Sequence, residues 1–177
     1  MKELVDILKN TKQHLMNGVS YMIPVVVGGG ILMAIAVLLT GEGAAPGWGS
    51  GIPYWLWTIG VDALGLMCPV FAAYIAFSIA DRPGIAVGMA GGFMALNIPT
   101  GFTDGAVTTA SAGFIGAAIA GLLGGIIAHY LKKIPLPKSM QSLKSIIIIP
   151  VIGVLAVGIM LVGILIFQLI PSQLLAL

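Results

Sequence analysis

Charge is what this sequence has least of. Of its 177 residues only 8% are Asp, Glu, Lys or Arg, while 59% are hydrophobic. Soluble domains carry about 25% charged residues. A soluble fold this apolar would expose large patches that aggregate, whereas lipid solvates such a surface. The mean hydropathy of +1.11 agrees. Cysteine is almost missing too. The lone Cys68 excludes an internal disulfide and, inside an apolar run, reads as a small buried hydrophobe. Without a cysteine and histidine cluster there are no ligands for a structural metal. Without a G-x-x-x-x-G-K-[ST] loop there is no ATPase of the chain's own. Nothing sets Ser, His and Asp together, so no catalytic residue, metal or cofactor is expected. The net charge of +2, on few and scattered lysines, excludes a nucleic-acid surface. The 25 glycines follow no three-residue period, which excludes collagen; Gly is common in membrane helices.

What is present is a series of long uncharged runs. They point to an all-α polytopic membrane protein with about five transmembrane helices and an N-terminal amphipathic helix. Residues 1–17 form the leader. Leu4, Ile7, Leu8 and Leu15 share one helical face, with Lys2, Glu3, Lys9 and Lys12 elsewhere, as suits a helix on the cytoplasmic surface. Glu3 and Asp6 exclude a cleavable signal. The membrane domain is 18–177, with spans expected at 18–40, 63–80, 84–99, 111–131 and 145–170. The first holds Pro24 and Gly28-Gly29-Gly30, breakers tolerated where helices pack closely. Starting the second at Ala63 gives roughly 27 Å at about 1.5 Å per residue, nearly the hydrocarbon core of about 30 Å. Asp62 then falls in an interfacial belt with Tyr54, Trp55 and Trp57; a deeper functional carboxylate is the other reading. The third span is short. The threonine-rich segment Asn97–Ser111, with Asp104, reads as a loop. The fifth opens on Ile146–Ile149, carries Pro150 and Gly153, and is expected to end at Pro171.

Small residues recur every fourth position in two places. Gly84, Gly88 and Gly92 mark the third span; Gly113, Ala117, Gly121 and Gly125 mark the fourth. Such stripes let backbones approach and predict a close-packed hairpin of these spans. A groove lined by exposed backbone is the alternative.

Positive charge alternates along the chain. Lys2, Lys9 and Lys12 precede the first span, Arg82 follows the second, and Lys132, Lys133, Lys138 and Lys144 follow the fourth. The loops after the first and third spans hold only Glu42 and Asp104. The positive-inside rule then places the N-terminus in the cytoplasm and the C-terminus outside.

Functional candidates are few. Asp81-Arg82-Pro83-Gly84 reads as a tight turn, with Pro83 fixing φ and Gly84 opening the next helix; a partner-docking or hinge motif is the second reading. His129 and His14 read as interfacial residues. Almost no ionisable group lies deep in a span, which argues against a proton-driven carrier acting alone. A neutral polyhydroxylated substrate would use polar side chains, and Asn97, Thr100 and Thr103 are the candidates.

The stretches AAYIAFSIADRPGIAVG, SAGFIGAAIAGLLGGIIAHYLKKIPLP and SMQSLKSIIIIPVIGVL, in that order, resemble enzyme IIC, the membrane permease subunit of the fructose family of the phosphoenolpyruvate-dependent sugar phosphotransferase system. The resemblance runs from about Gly18 to Ile170, with Val87 where many relatives carry proline. It implies a multi-pass protein of the bacterial inner membrane, homodimeric, that carries fructose or a related sugar such as mannitol while cytoplasmic IIA and IIB components deliver the phosphate. Family permeases are about twice this length, and a Gly-Ile-Thr-Glu type motif in their second half contacts the sugar. This chain has none, so it would correspond to the scaffold half, paired with a missing C-terminal half. A non-transporting membrane scaffold and a secondary-carrier subunit are the alternative readings.

Overall fold

The computed structural model describes residues 2–41, 45–47, 51–103, 106–134 and 143–174. Its chain divides into two compact units, Met1–Gly18 with Cys68–Leu177, and Val19–Met67. The elements are α1 (Lys2–Lys9), α2 (Thr11–Thr40), α3 (Ile52–Gly65), α4 (Met67–Ala80), α5 (Arg82–Leu96), β1 (Ile98–Thr103), β2 (Ala106–Ala110), α6 (Gly113–Lys133), a π-helical turn (Lys144–Ile148) and α7 (Ile149–Leu174). Helices dominate, as the apolar runs require.

Several expected boundaries move. The leader is not one helix to residue 17. Asn10 interrupts it, and its carbonyl accepts bonds from the Gln13 and His14 N–H groups at 2.9 and 3.1 Å, which starts α2 at Thr11. Pro24 lies inside α2 without ending it. The second apolar segment begins at Ile52, eleven positions before Ala63, because Pro53 suits a first helical turn. Asp62 is therefore an exposed residue within α3. Pro69 has no N–H for the Gly65 carbonyl, which accounts for the break at Leu66 between α3 and α4. Pro171 does not end α7, which runs one turn further to Leu174; a proline so near a helix end costs few backbone bonds. Pro150 follows the π turn, a wide turn that accommodates the missing donor.

The expected loop after α5 is a β-hairpin. Strands β1 and β2 pair antiparallel from Ile98↔Ala110 to Thr103↔Ala106, with an irregularity between Pro99 and Gly101. Its base is tied back to α5 by the Ala112 N–H, which donates to the Ala95 carbonyl at 2.8 Å. Glu42, Asp104, Pro135, Pro137 and Lys138 lie outside the described residues.

Within the larger unit the packing is backbone on backbone. A Cβ placed on Gly88 would lie 2.5 Å from the Ala72 carbonyl oxygen, and one on Gly92 would lie 2.9 Å from that of Cys68; Gly84 meets the Ala76 carbonyl in the same way. These pairs step in opposite senses, so α5 runs antiparallel to α4. On α6, a Cβ on Gly121 would lie 2.8 Å from Ala72 Cα and one on Gly125 would lie 3.0 Å from Ala76 Cα. These pairs step together, so α6 runs parallel to α4. The two stripes thus converge on the alanine face of α4, and the expected close packing of α5 on α6 is present as well: a Cβ on Gly124 would lie 3.4 Å from the Gly88 backbone nitrogen. Gly113 is not part of the packing. It sits at φ 58° with open space around it and serves the turn into α6.

On the other side of α5, Gly91 approaches Val157 and Val87 approaches Gly153, so α7 runs parallel to α5. Val87, Ala95, Ala120, Ala128, Ile149 and Val157 form the buried cluster there. The first turns of α2 run antiparallel to α4: His14 Nδ1 is 2.7 Å from Ser78 Oγ, and Asn17 Nδ2 donates to the Tyr74 carbonyl. In the smaller unit, α2 and α3 cross at Gly29 and Gly60, where a Cβ on either would lie within 2.9 Å of the other's carbonyl oxygen.

Small residues dominate the interior, beside a few large ones such as Phe71 and Ile75, and many large apolar side chains face outward. Ala72, Ala73, Ala76, Ala117 and Ala120 are fully buried, whereas Leu38 is 80% exposed, Ile115 74% and Ile159 69%. This is the arrangement of helices in lipid, where tails solvate the large side chains and close approach holds the bundle. Three segments are long and apolar enough to cross a membrane: Thr11–Thr40, Ile52–Ala80 and Gly113–Lys133; Ile149–Gly163 is a shorter apolar stretch. Helix α5 has 15 residues, roughly 22 Å at about 1.5 Å each, and the hairpin follows it directly.

Gly88→Val should destabilise the protein by about 1–3 kcal/mol or more, because the added carbons meet backbone that has no room to move. Gly30→Ala, facing open space, should be neutral or slightly stabilising. Thermal unfolding midpoints in detergent micelles compare the two.

Candidate functional site

The charges that the spans exclude gather at one end of the larger unit. Helix α4 ends at Ala80, and Asp81 turns the chain into α5 with φ 60° and ψ −151°. That region of backbone space belongs essentially to glycine and costs an aspartate about 1–3 kcal/mol. Two backbone bonds hold the turn: the Asp81 N–H donates to Phe77 O at 2.8 Å, and the Gly84 N–H donates to Asp81 O at 2.9 Å. The Asp81 side chain makes no capping bond. It accepts instead from Lys132 Nζ at 2.6 Å. Pro83 and Gly84 are buried in the first turn of α5, and Arg82 is exposed.

The next lysine of α6 holds the leader. Lys133 is ion-paired with Glu3 of α1. His129, one turn back on α6, presents Nε2 at 3.6 Å from the same Glu3 carboxylate. That nitrogen is buried and makes no hydrogen bond. The His129 ring stands edge-on to Tyr130. Consecutive lysines thus tie α6 to the α4–α5 turn and to α1. Both pairs are largely exposed, so each contributes only about 0–1 kcal/mol. Their importance is positional: they put the N-terminus, the α4–α5 turn and the end of α6 on the same side. Sequence reasoning missed these pairs, because the partners lie 51 and 130 residues apart.

The sugar candidates lie at the other end of α5. Asn97 is exposed and its amide donates to its own helix, at Phe93 O. Thr100 and Thr103 fall on β1, with side chains outside the described residues. An open groove of about 830 Å³ lies along α7, lined by Met94, Pro150, Val154, Leu155, Gly158 and Val162 among others. Its apolar side chains offer a sugar no hydrogen-bonding partner. Among the described residues no three metal-ligating side chains cluster.

Comparison with known proteins decides the family. The model of the family described as "Phosphotransferase system, EIIC" matches residues 16–177. The chain belongs to this family. Its relatives put it in the fructose branch. It is similar to the fructose-like permease IIC component 2 of Escherichia coli, at 49% identity over 88% of this chain and 40% of that protein. It is also similar to the fructose-specific EIIABC component of Bacillus subtilis, at 41% identity over 80% of this chain and 21% of that protein. With the fructose-specific EIIC component of Haloferax volcanii it shares 38% identity over 81% of this chain and 41% of that protein. The chain thus spans about two fifths of the length of the single-component relatives. No solved structure matches it.

Asp81→Gly should unfold at a higher temperature than Asp81→Ala. Both lose the exposed pair with Lys132, but only glycine relieves the backbone, by about 1–3 kcal/mol. Equal midpoints for the two variants would show that the turn carries no strain.

Proposed function

We propose that this chain is the scaffold part of a phosphotransferase-system sugar permease in the bacterial inner membrane. On this reading it crosses the membrane five times, with α2, the α3–α4 segment, α5 with its hairpin, α6 and α7 as the crossings. The observation that carries the topology is the packing register. The start of α2, α5 and α7 run one way, while α4 and α6 run the other. The ion pairs of Lys132 and Lys133 add that the basic ends lie together, which the positive-inside rule assigns to the cytoplasm.

The substrate reading rests on the relatives, whose names specify fructose or fructose-like sugars. The sugar would cross through an assembly of this chain with the permease length it does not span. A cytoplasmic IIB component, charged through IIA, would phosphorylate it on arrival, and the charge would trap the product. The scaffold part also presents the surface for pairing with a second copy. Because the chain offers Asn97 and the β1 threonines but no gathered polar pocket in the α7 groove, transport by this chain alone is not expected.

Phosphoenolpyruvate-dependent fructose uptake should appear in membranes that hold this chain together with the remainder of a fructose-branch permease supplied as a second chain, and not with either alone. No rescue would favour a non-transporting scaffold. Ion-driven uptake by this chain alone would favour a secondary carrier. Alkaline phosphatase fused after Ser111 should be active, and after Ile134 inactive; the reverse pattern would overturn the orientation.

A further inference from the structure

Helix α1 has three sides, and the structure treats each differently. Residues advance about 100° each along a helix, so Glu3, Leu4 and Ile7 fall together. Glu3 is paired with Lys133 and faces His129, and Leu4 and Ile7 are half-buried. This side is closed by the chain itself. Asp6, Lys9 and Asn10 occupy a second side, all exposed and all suited to water. Between them Val5 and Leu8 form a third side. They are apolar, yet 46% and 54% exposed.

The position of α1 says what covers that third side. Only Asn10 separates it from α2, and Thr11–Thr40 is long and apolar enough to cross a membrane. Glu3 of α1 also pairs with Lys133, the last residue of the apolar helix α6, so α1 lies level with the ends of two such segments. The apolar strip is two residues wide, too narrow for a stable protein interface, and Lys9 borders it while exposed Lys12 follows at the start of α2. Lysines beside a narrow apolar strip match a phosphate-rich lipid surface over an acyl interior.

We propose that α1 is an interfacial anchor. Val5 and Leu8 enter the acyl boundary of the leaflet, Lys9 and Lys12 meet anionic lipid phosphates, and Glu3 holds the helix against the end of α6. The anchor goes beyond the transport reading but rests on its membrane placement.

The test uses nitroxide labels on cysteines in the full chain, with Cys68→Ala removing the native thiol, in vesicles of phosphatidylethanolamine and phosphatidylglycerol. Val5→Cys, Leu8→Cys, Lys9→Cys and, as a reference within α2, Ile31→Cys each replace an exposed side chain. Labels at 5 and 8 should collide with oxygen more than with a water-soluble nickel chelate, and the label at 9 the reverse. Chelate access at 5 and 8 equal to that at 9 would put α1 in water and overturn the proposal. Shielding of 5 and 8 from both reagents would mean that protein covers the strip, which also overturns it. If the label at 31 also fails to favour oxygen, the membrane reading itself fails; if only 5 and 8 fail, the anchor alone is lost.

Discussion

The structure depends on how closely three helix backbones approach one another. Ala72 and Ala76 of α4 are met by Gly84 and Gly88 of α5 and also by Gly121 and Gly125 of α6. In lipid the helices gain no hydrophobic energy by meeting. Dispersion between closely set atoms and weak Cα–H···O contacts must replace it, and both fade within an ångström or so. Glycine at every fourth position is the means of reaching that range. The same contacts set the direction of each helix, since opposed steps require antiparallel helices and matched steps require parallel ones.

The rest follows from that contact. With α4, α5 and α6 in register, the α4–α5 turn has little length to work with, and Asp81 takes a backbone conformation foreign to it. The C-terminal end of α6 arrives beside this turn, so Lys132 reaches Asp81 and Lys133 reaches Glu3. These ion-paired charges lie at one end of the larger unit, and its interior is filled mostly by small apolar residues. Many large ones, such as Ile115 and Ile159, are left on the outside, while Phe71 and Ile75 are enclosed. This distribution suits a chain that lives in lipid, in keeping with its membership of the EIIC family.

The glycine stripes were visible in the sequence, and so was the apolar character that demands helices. Their common target was not. A stripe of glycines says that something comes close, but not which helix, and the alanines of α4 stand out less in an alanine-rich segment. Gly113 shared the spacing while serving a turn, because spacing alone does not distinguish a packing glycine from one with positive φ. The hairpin had a readable cue in Asp104-Gly105 between threonine-rich runs, the strongest short hairpin signal; polarity suggested a loop instead. Of the site, the Asp81-Arg82-Pro83-Gly84 turn was legible from its residue types. The ion pairs were not, since only the folded chain joins Glu3 to Lys133. Asn97, chosen as a sugar contact, is bonded to its own helix. In a family whose relatives are more than twice as long, contacts for the substrate need not lie within this stretch.

The central claim is that one face of α4 packs against both glycine stripes. Solid-state NMR on protein reconstituted in lipid tests it most directly, with carbon-13 in the Ala72 carbonyl and in glycine Cα. The account predicts through-space dipolar transfer from Ala72 to both Gly88 and Gly121. Transfer to neither, with the Gly88 and Gly121 stripes coupled only to each other, would contradict it and leave only the hairpin of α5 and α6.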